Sequence, residues 1–147
     1  MTEAKEKTVA ARKPKAKAIA KFLKSEGYRP EIDSDGNITF KREGRLYWII
    51  TYEDDADYIA VQNPLIRNFT DESEREHVYW AMNEVQLNYK MLCMTMSEDN
   101  WVSAEIYILA NPFENFSNVL PRAINVLGIA REKFNEYFEK KRSETSS

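Results

Sequence analysis

Apolar side chains recur at helical spacing in three stretches of the chain and at strand spacing between them. From Pro14, a favourable first helical residue, Ile19, Phe22 and Leu23 mark one face as far as Gly27, with Lys17, Lys21 and Lys24 opposite. Tyr28-Arg-Pro30 leads into extended chain. Residues 31–33 and 37–40 flank Ser34-Asp35-Gly36, a tight-turn signal. After Glu43-Gly44, residues 45–52 are apolar on both alternating faces, as a central strand should be. The acidic turn 53–57 leads to a strand at 58–61, which Pro64 closes.

Asp71 followed three residues later by Glu74 fits a capping box, and Glu72 and Glu76 suit the positive start of a helix. Val78, Met82, Val85 and Tyr89 carry that helix to Lys90. Strands follow at 91–97 and 101–110, joined by Ser97-Glu-Asp-Asn100. Asn111 and Pro112 then open a long helix reaching about Lys141, with Phe116, Leu120, Ala123, Leu127, Ala130, Phe134 and Tyr137 along one stripe. Pro121 falls inside it and should cost about 3 kcal/mol or kink it, with a break near Asn118.

The expected fold class is therefore α+β, a mainly antiparallel sheet with flanking helices in the order α-β-β-β-(β)-α-β-β-α. Residues 1–13 lack large apolar side chains and read as a flexible Lys-rich tail. Residues 14–141 read as a single domain, and 142–147 as a disordered C-terminal tail.

Composition adds boundaries. At 147 residues, 43% hydrophobic and 12% aromatic, one domain can build a core without staples. A single cysteine, Cys93, rules out an internal disulfide, and a single histidine, His77, rules out a Cys/His zinc site. No apolar run approaches a membrane span, and no secretory signal is visible, so a reduced, cytoplasmic compartment is expected. Residues 1–24 hold 8 basic against 2 acidic side chains, whereas the remainder holds 13 against 22, giving −3 in total. Such an acidic body repels polyanions, so a nucleic-acid or acidic partner could be met only by the basic N-terminal arm.

The chain resembles the YbjN family, often described as bacterial sensory transduction regulators, over roughly residues 19–138. The resemblance rests on Phe22-Leu-Lys-Ser-Glu-Gly-Tyr-Arg-Pro-Glu-Ile32, Asp35-Gly-Asn-Ile-Thr-Phe40 and Gly44-Arg-Leu-Tyr-Trp-Ile49. It continues through Ala81-Met-Asn-Glu-Val-Gln-Leu-Asn88 and Trp101-Val-Ser-Ala-Glu-Ile-Tyr-Ile108. What it implies is a fold like the type III secretion chaperones, often dimeric and non-enzymatic, with no catalytic residue to carry over. The Lys-rich tail and Pro121 depart from the family pattern.

Candidate chemistry is sparse. Asp33-Ser-Asp-Gly-Asn-Ile38 resembles part of a calcium loop, but Arg42 stands where the closing Glu should be, so a hairpin turn is expected instead. Glu53, Asp54, Asp55 and Asp57 fit an exposed turn better than a cation site. His77 lies on the rim of a helical stripe, and Cys93 sits among methionines in a strand; neither has a nucleophile motif around it. With glycine only at 27, 36, 44 and 128, no phosphate or dinucleotide loop can be assembled. No catalytic residue, cofactor, metal or small-molecule substrate is therefore expected.

One surface does stand out. In strand 101–110 the small aliphatics share one face, and Trp101, Ser103, Glu105 and Tyr107 share the other. The central strand offers Tyr47, Ile49 and Thr51, or the reverse set. Tyr47, Ile49, Trp101, Glu105 and Tyr107 are thus the candidate partner-binding face, for a protein segment or a second copy of the chain.

Overall fold

The computed structural model describes residues 3–52, 54–55 and 57–146, with side chains from Pro14 to Thr145. Its elements are α1 (Glu3–Ser25), β1 (Glu31–Ile32), β2 (Ile38–Arg42), β3 (Arg45–Thr51), β4 (Tyr58–Asn68), a 3-10 turn (Glu72–Glu74), α2 (Arg75–Asn88), β5 (Cys93–Met96), β6 (Trp101–Leu109) and α3 (Phe113–Ser146). The strands form a six-stranded sheet in the order β1-β2-β3-β4-β6-β5. Pairs β1–β2, β2–β3, β3–β4 and β5–β6 are antiparallel. The fold is α+β, an antiparallel sheet flanked by helices. The chain forms two compact units, residues 1–62 with 107–121 and residues 63–106 with 122–147.

The first unit is built on the β2–β3 hairpin. Arg42 pairs with Arg45 across Glu43 (φ 53°) and Gly44 (φ 75°), two consecutive positive-φ residues of the kind a two-residue hairpin turn requires. That register pairs Phe40 with Tyr47 and Ile38 with Ile49. At the opposite end, Asn37 Oδ1 accepts the Thr51 N–H (2.9 Å), and the Thr51 hydroxyl donates to the Gly36 carbonyl (2.9 Å). Ala16, Ile19 and Leu23 of α1 are buried together with Ile38, Phe40, Tyr47, Ile49, Ile59, Val61, Phe116 and Leu120. The Phe22 and Phe116 rings meet edge-on at 6.4 Å.

Helix α1 begins at Glu3, upstream of the start that Pro14 suggests. Alanine and lysine are strong helix formers, so the backbone can be helical without an apolar stripe. The expectation that residues 1–13 are mobile concerns motion, and stays a proposal.

The second unit holds α2 and most of α3. Asp71 caps the 3-10 turn, its carboxylate accepting the Ser73 N–H (3.0 Å) and hydroxyl (2.7 Å). Those two hydrogen bonds hold the Asp71 carboxyl below its ordinary range. Glu74 does not reach back as a capping-box partner; it meets Arg142 at 3.5 Å. Buried Val78, Ala81, Met82 and Val85 form the α2 stripe. On α3 the buried stripe ends at Phe138, with Tyr137 beside it edge-on to Trp80. Arg67 lies over the Phe138 ring (4.5 Å) and bonds Asn135 and Glu139.

Two expectations about proline differ from what is observed. β4 continues through Pro64 to Asn68. Leu65 takes φ 54° and sends its N–H to the Ser103 hydroxyl (3.3 Å), so a local irregularity absorbs the residue that should have ended the strand. Helix α3 passes through Pro121 with no break near Asn118. It also runs on to Ser146, beyond the end near Lys141 that its apolar stripe suggests.

Candidate functional site

The face of β3 that carries Tyr47 (2% exposed), Ile49 (0%) and Thr51 (3%) is the covered one. Leu46, Trp48 and Ile50 point the other way and keep solvent contact. The strands on either side continue this second face. Trp48 pairs with Thr39 and Gln62, and Ile50 with Ala60. Tyr107 (41% exposed) and Leu109 (62%) alternate with buried Ile108 and Ala110 at the end of β6. Tyr52, Tyr58 and Tyr107 form a row of rings, at 6.2 Å for the first pair and 5.7 Å, stacked, for the second. The first unit therefore presents a continuous apolar and aromatic sheet face built from Leu46, Trp48, Ile50, Tyr52, Tyr58, Tyr107 and Leu109. The Trp48 indole N–H lies in it without an acceptor.

The five residues singled out from the sequence are not placed alike. Tyr47 and Ile49 are on the covered face, and the reverse set of β3 forms the open one. Tyr107 is on the open face of the first unit. Trp101 and Glu105 belong to the second unit, where Trp101 is half-buried and Glu105 only 8% exposed. Glu105 stands directly across from Cys93. Burial first, and the Glu105 charge second, push the Cys93 thiol above its usual pKa, so thiolate is scarce at neutral pH.

Tyr52, Tyr58 and Leu109 were not singled out, and Trp48 and Ile50 entered only as the reverse set of β3, although a signal that chooses between the two sets exists. Ile38 and Phe40 alternate with Thr39 and Lys41, which fixes the inward face of β2. A two-residue turn at 43–44 then carries that face to Tyr47 and Ile49.

The other candidates have structural work. Asp33 Oδ1 accepts the N–H groups of Asp35 and Asn37, both at 2.9 Å, closing the 33–37 turn. Among the described residues no group of three or more His, Cys, Asp or Glu side chains could hold a metal ion. A cavity of about 570 Å³ lies in the first unit, where β1 stops short of the end of β2. It is lined by Tyr28, Arg29, Glu31, Phe40, Lys41 and Leu46 together with Gly27 and Thr39, a set without serine, cysteine or histidine. No helix among the described residues is long and apolar enough to cross a membrane.

Against known proteins, residues 16–140 match the model of the family described as "T3SS (YopN, CesT) and YbjN peptide-binding chaperone 1". The chain belongs to this family. The comparison with curated proteins gives no match. Among solved structures, an uncharacterized protein from Methanothermobacter thermautotrophicus superimposes with a TM-score of 0.58 at 15% identity, covering 85% of this chain and 96% of that one. At that identity the likeness is one of fold. Family membership supports a peptide-binding, chaperone-like role.

Proposed function

We propose that this peptide-binding chaperone-family protein acts without catalysis, in the cytoplasm, by holding an apolar segment of a protein partner on the open sheet face of its first unit. The observation that carries the reading is the row Tyr52–Tyr58–Tyr107, continued by Trp48, Ile50 and Leu109 on a face whose large side chains are half-buried to exposed. Soluble domains rarely leave that much contiguous aromatic surface in water unless something docks on it. Tyrosine and tryptophan also dominate interface energies, because they bury large area at small entropy cost.

The test is fluorescence anisotropy with a labelled, Ser-flanked apolar peptide, on the natural chain and on Tyr107→Ala/Leu109→Ser. Saturable binding lost in the variant, with unchanged circular dichroism, is the expected result. Equal binding by both proteins would remove the face from the reading. A homodimer is the competing occupant of the same face. It would appear as concentration-dependent mass in light scattering, abolished by the same pair of substitutions.

A further inference from the structure

The open face is marked by charge at its two ends. β3 leads from Thr51 into the turn carrying Asp54, Asp55 and Asp57, all exposed. Asp55 Oδ1 accepts the Asp57 N–H (3.1 Å), and the Asp57 carbonyl accepts the N–H of Ala110. The turn is therefore fixed beside the end of β6 that carries Tyr107 and Leu109. Lys15 of α1 is near enough to feel Asp57 and Asp55 and offsets part of their charge. At the opposite end of β3, Lys41, Arg42 and Arg45 outnumber Glu43. The apolar strip between the two ends is about 20 Å long, at roughly 3.3 Å per strand residue.

Resting on the peptide-binding reading above, we propose that the segment held here is basic as well as apolar, with its Lys or Arg side chains over the Tyr58–Tyr107 pair and against Asp54 and Asp57. A ligand cation there gains twice. The carboxylates attract it, and stacked phenol rings present a negative π-face to it. An acidic segment meets repulsion at that end, and a neutral one covers the carboxylates without compensating them. The 13 basic and 22 acidic side chains beyond residue 24 draw a cationic partner from further away.

The probes are three synthetic peptides of about ten residues, about six to span the strip in extended form and the rest to carry the flanks beyond its ends. They share one apolar aromatic core and carry Lys, Ser or Glu flanks. Affinities are read by anisotropy at about 0.05 M and 0.5 M salt, where the Debye length falls from roughly 14 Å to roughly 4 Å. The Lys-flanked peptide is expected to bind on the order of tenfold or more tighter than the Glu-flanked one at low salt, with the gap closing at high salt. Asp54→Ser/Asp57→Ser, at two exposed positions, should erase the preference for Lys over Glu flanks.

Equal affinity for all three peptides, each lost in Tyr107→Ala/Leu109→Ser, would overturn the charge preference and leave the peptide-binding reading standing. Failure of all three to bind would overturn both. A preference that survives the aspartate substitutions overturns the placement. Self-association abolished by deleting residues 1–13 would assign the face to the chain's own Lys-rich stretch in a second copy, and would likewise overturn the proposal.

Discussion

The two faces of β3 differ by one residue in phase and by nearly everything in environment. Tyr47, Ile49 and Thr51 are almost wholly out of water, while Leu46, Trp48 and Ile50 are of similar apolarity and keep partial solvent contact. Hydrophobicity alone therefore cannot say which side of a central strand is the core. On the covered side, apolar area is matched by α1, the start of α3 and the inward residues of β2 and β4, so removing a methyl leaves a cavity. On the open side Leu46, Trp48 and Ile50 leave part of that area in water. The same chemical group thus stabilises the fold on one face and is available for recognition on the other.

Truncation is the most direct way to break that comparison. Ile49→Ala should cost about 2–5 kcal/mol in a denaturant titration, because a buried large-to-small change adds a cavity to the lost transfer energy. Ile50→Ala on the adjacent residue should cost less than about 1 kcal/mol, the range of half-exposed positions. Equal costs would mean that the open face is covered in solution. A smaller effect sharpens the contrast at Trp48. Its indole N–H has no acceptor, so Trp48→Phe loses no hydrogen bond and should change stability by about 1 kcal/mol or less in either direction. A larger loss would reveal an acceptor supplied by an occupant.

The next expectation concerns rate. Burial and Glu105 raise the thiol of Cys93, so its reaction with a disulfide reagent should be slow at neutral pH and speed up as the pH climbs past the ordinary thiol range. Glu105→Gln removes the second cause and should move that profile to lower pH; no movement would mean that burial acts alone. The smallest effect is expected from deleting residues 1–13. We propose that they are dispensable for folding, and the thermal midpoint should shift by no more than a few degrees. A larger drop would place that part of α1 among the stabilising contacts.

Much of the fold could be read from local signals. The Ser34-Asp-Gly36 turn, the Asp71 cap and the α3 stripe from Phe116 to Phe134 all stand where sequence patterns put them, because each is determined by neighbours a few residues away. Where tertiary context intervenes, the reading falters. Pro64 marks a stop, yet the Ser103 hydroxyl takes over the Leu65 N–H and the strand goes on. Pro121 removes one hydrogen bond from a helix that otherwise buries a stripe on almost every turn, and that packing outweighs the loss. The proposed face was legible as a kind of surface but only in part in its membership, with Tyr107 on it and Tyr47 and Ile49 turned away. Choosing between the two parities of β3 needed the register of its hairpin, which Phe40 opposite Tyr47 supplies. Tyr52 and Tyr58, the last and first residues of the strands read on either side of an acidic turn, are not marked as one face until the sheet brings Tyr107 alongside.

The clasp between Asn37, Gly36 and Thr51 has a kinetic consequence. It shuts the β2–β3 hairpin at the end away from its turn, using groups only 14 and 15 residues apart in the chain. Closing so short a loop costs little entropy, so this hairpin can assemble before the distant strands β4 and β6 find their places. It should act as the template on which the rest of the first unit condenses. In a pulse-labelling hydrogen-exchange experiment the amides of Ile49 and Thr51 should gain protection ahead of those in α3. Asn37→Ala should slow folding by nearly the full factor by which it lowers stability, leaving the unfolding rate almost unchanged.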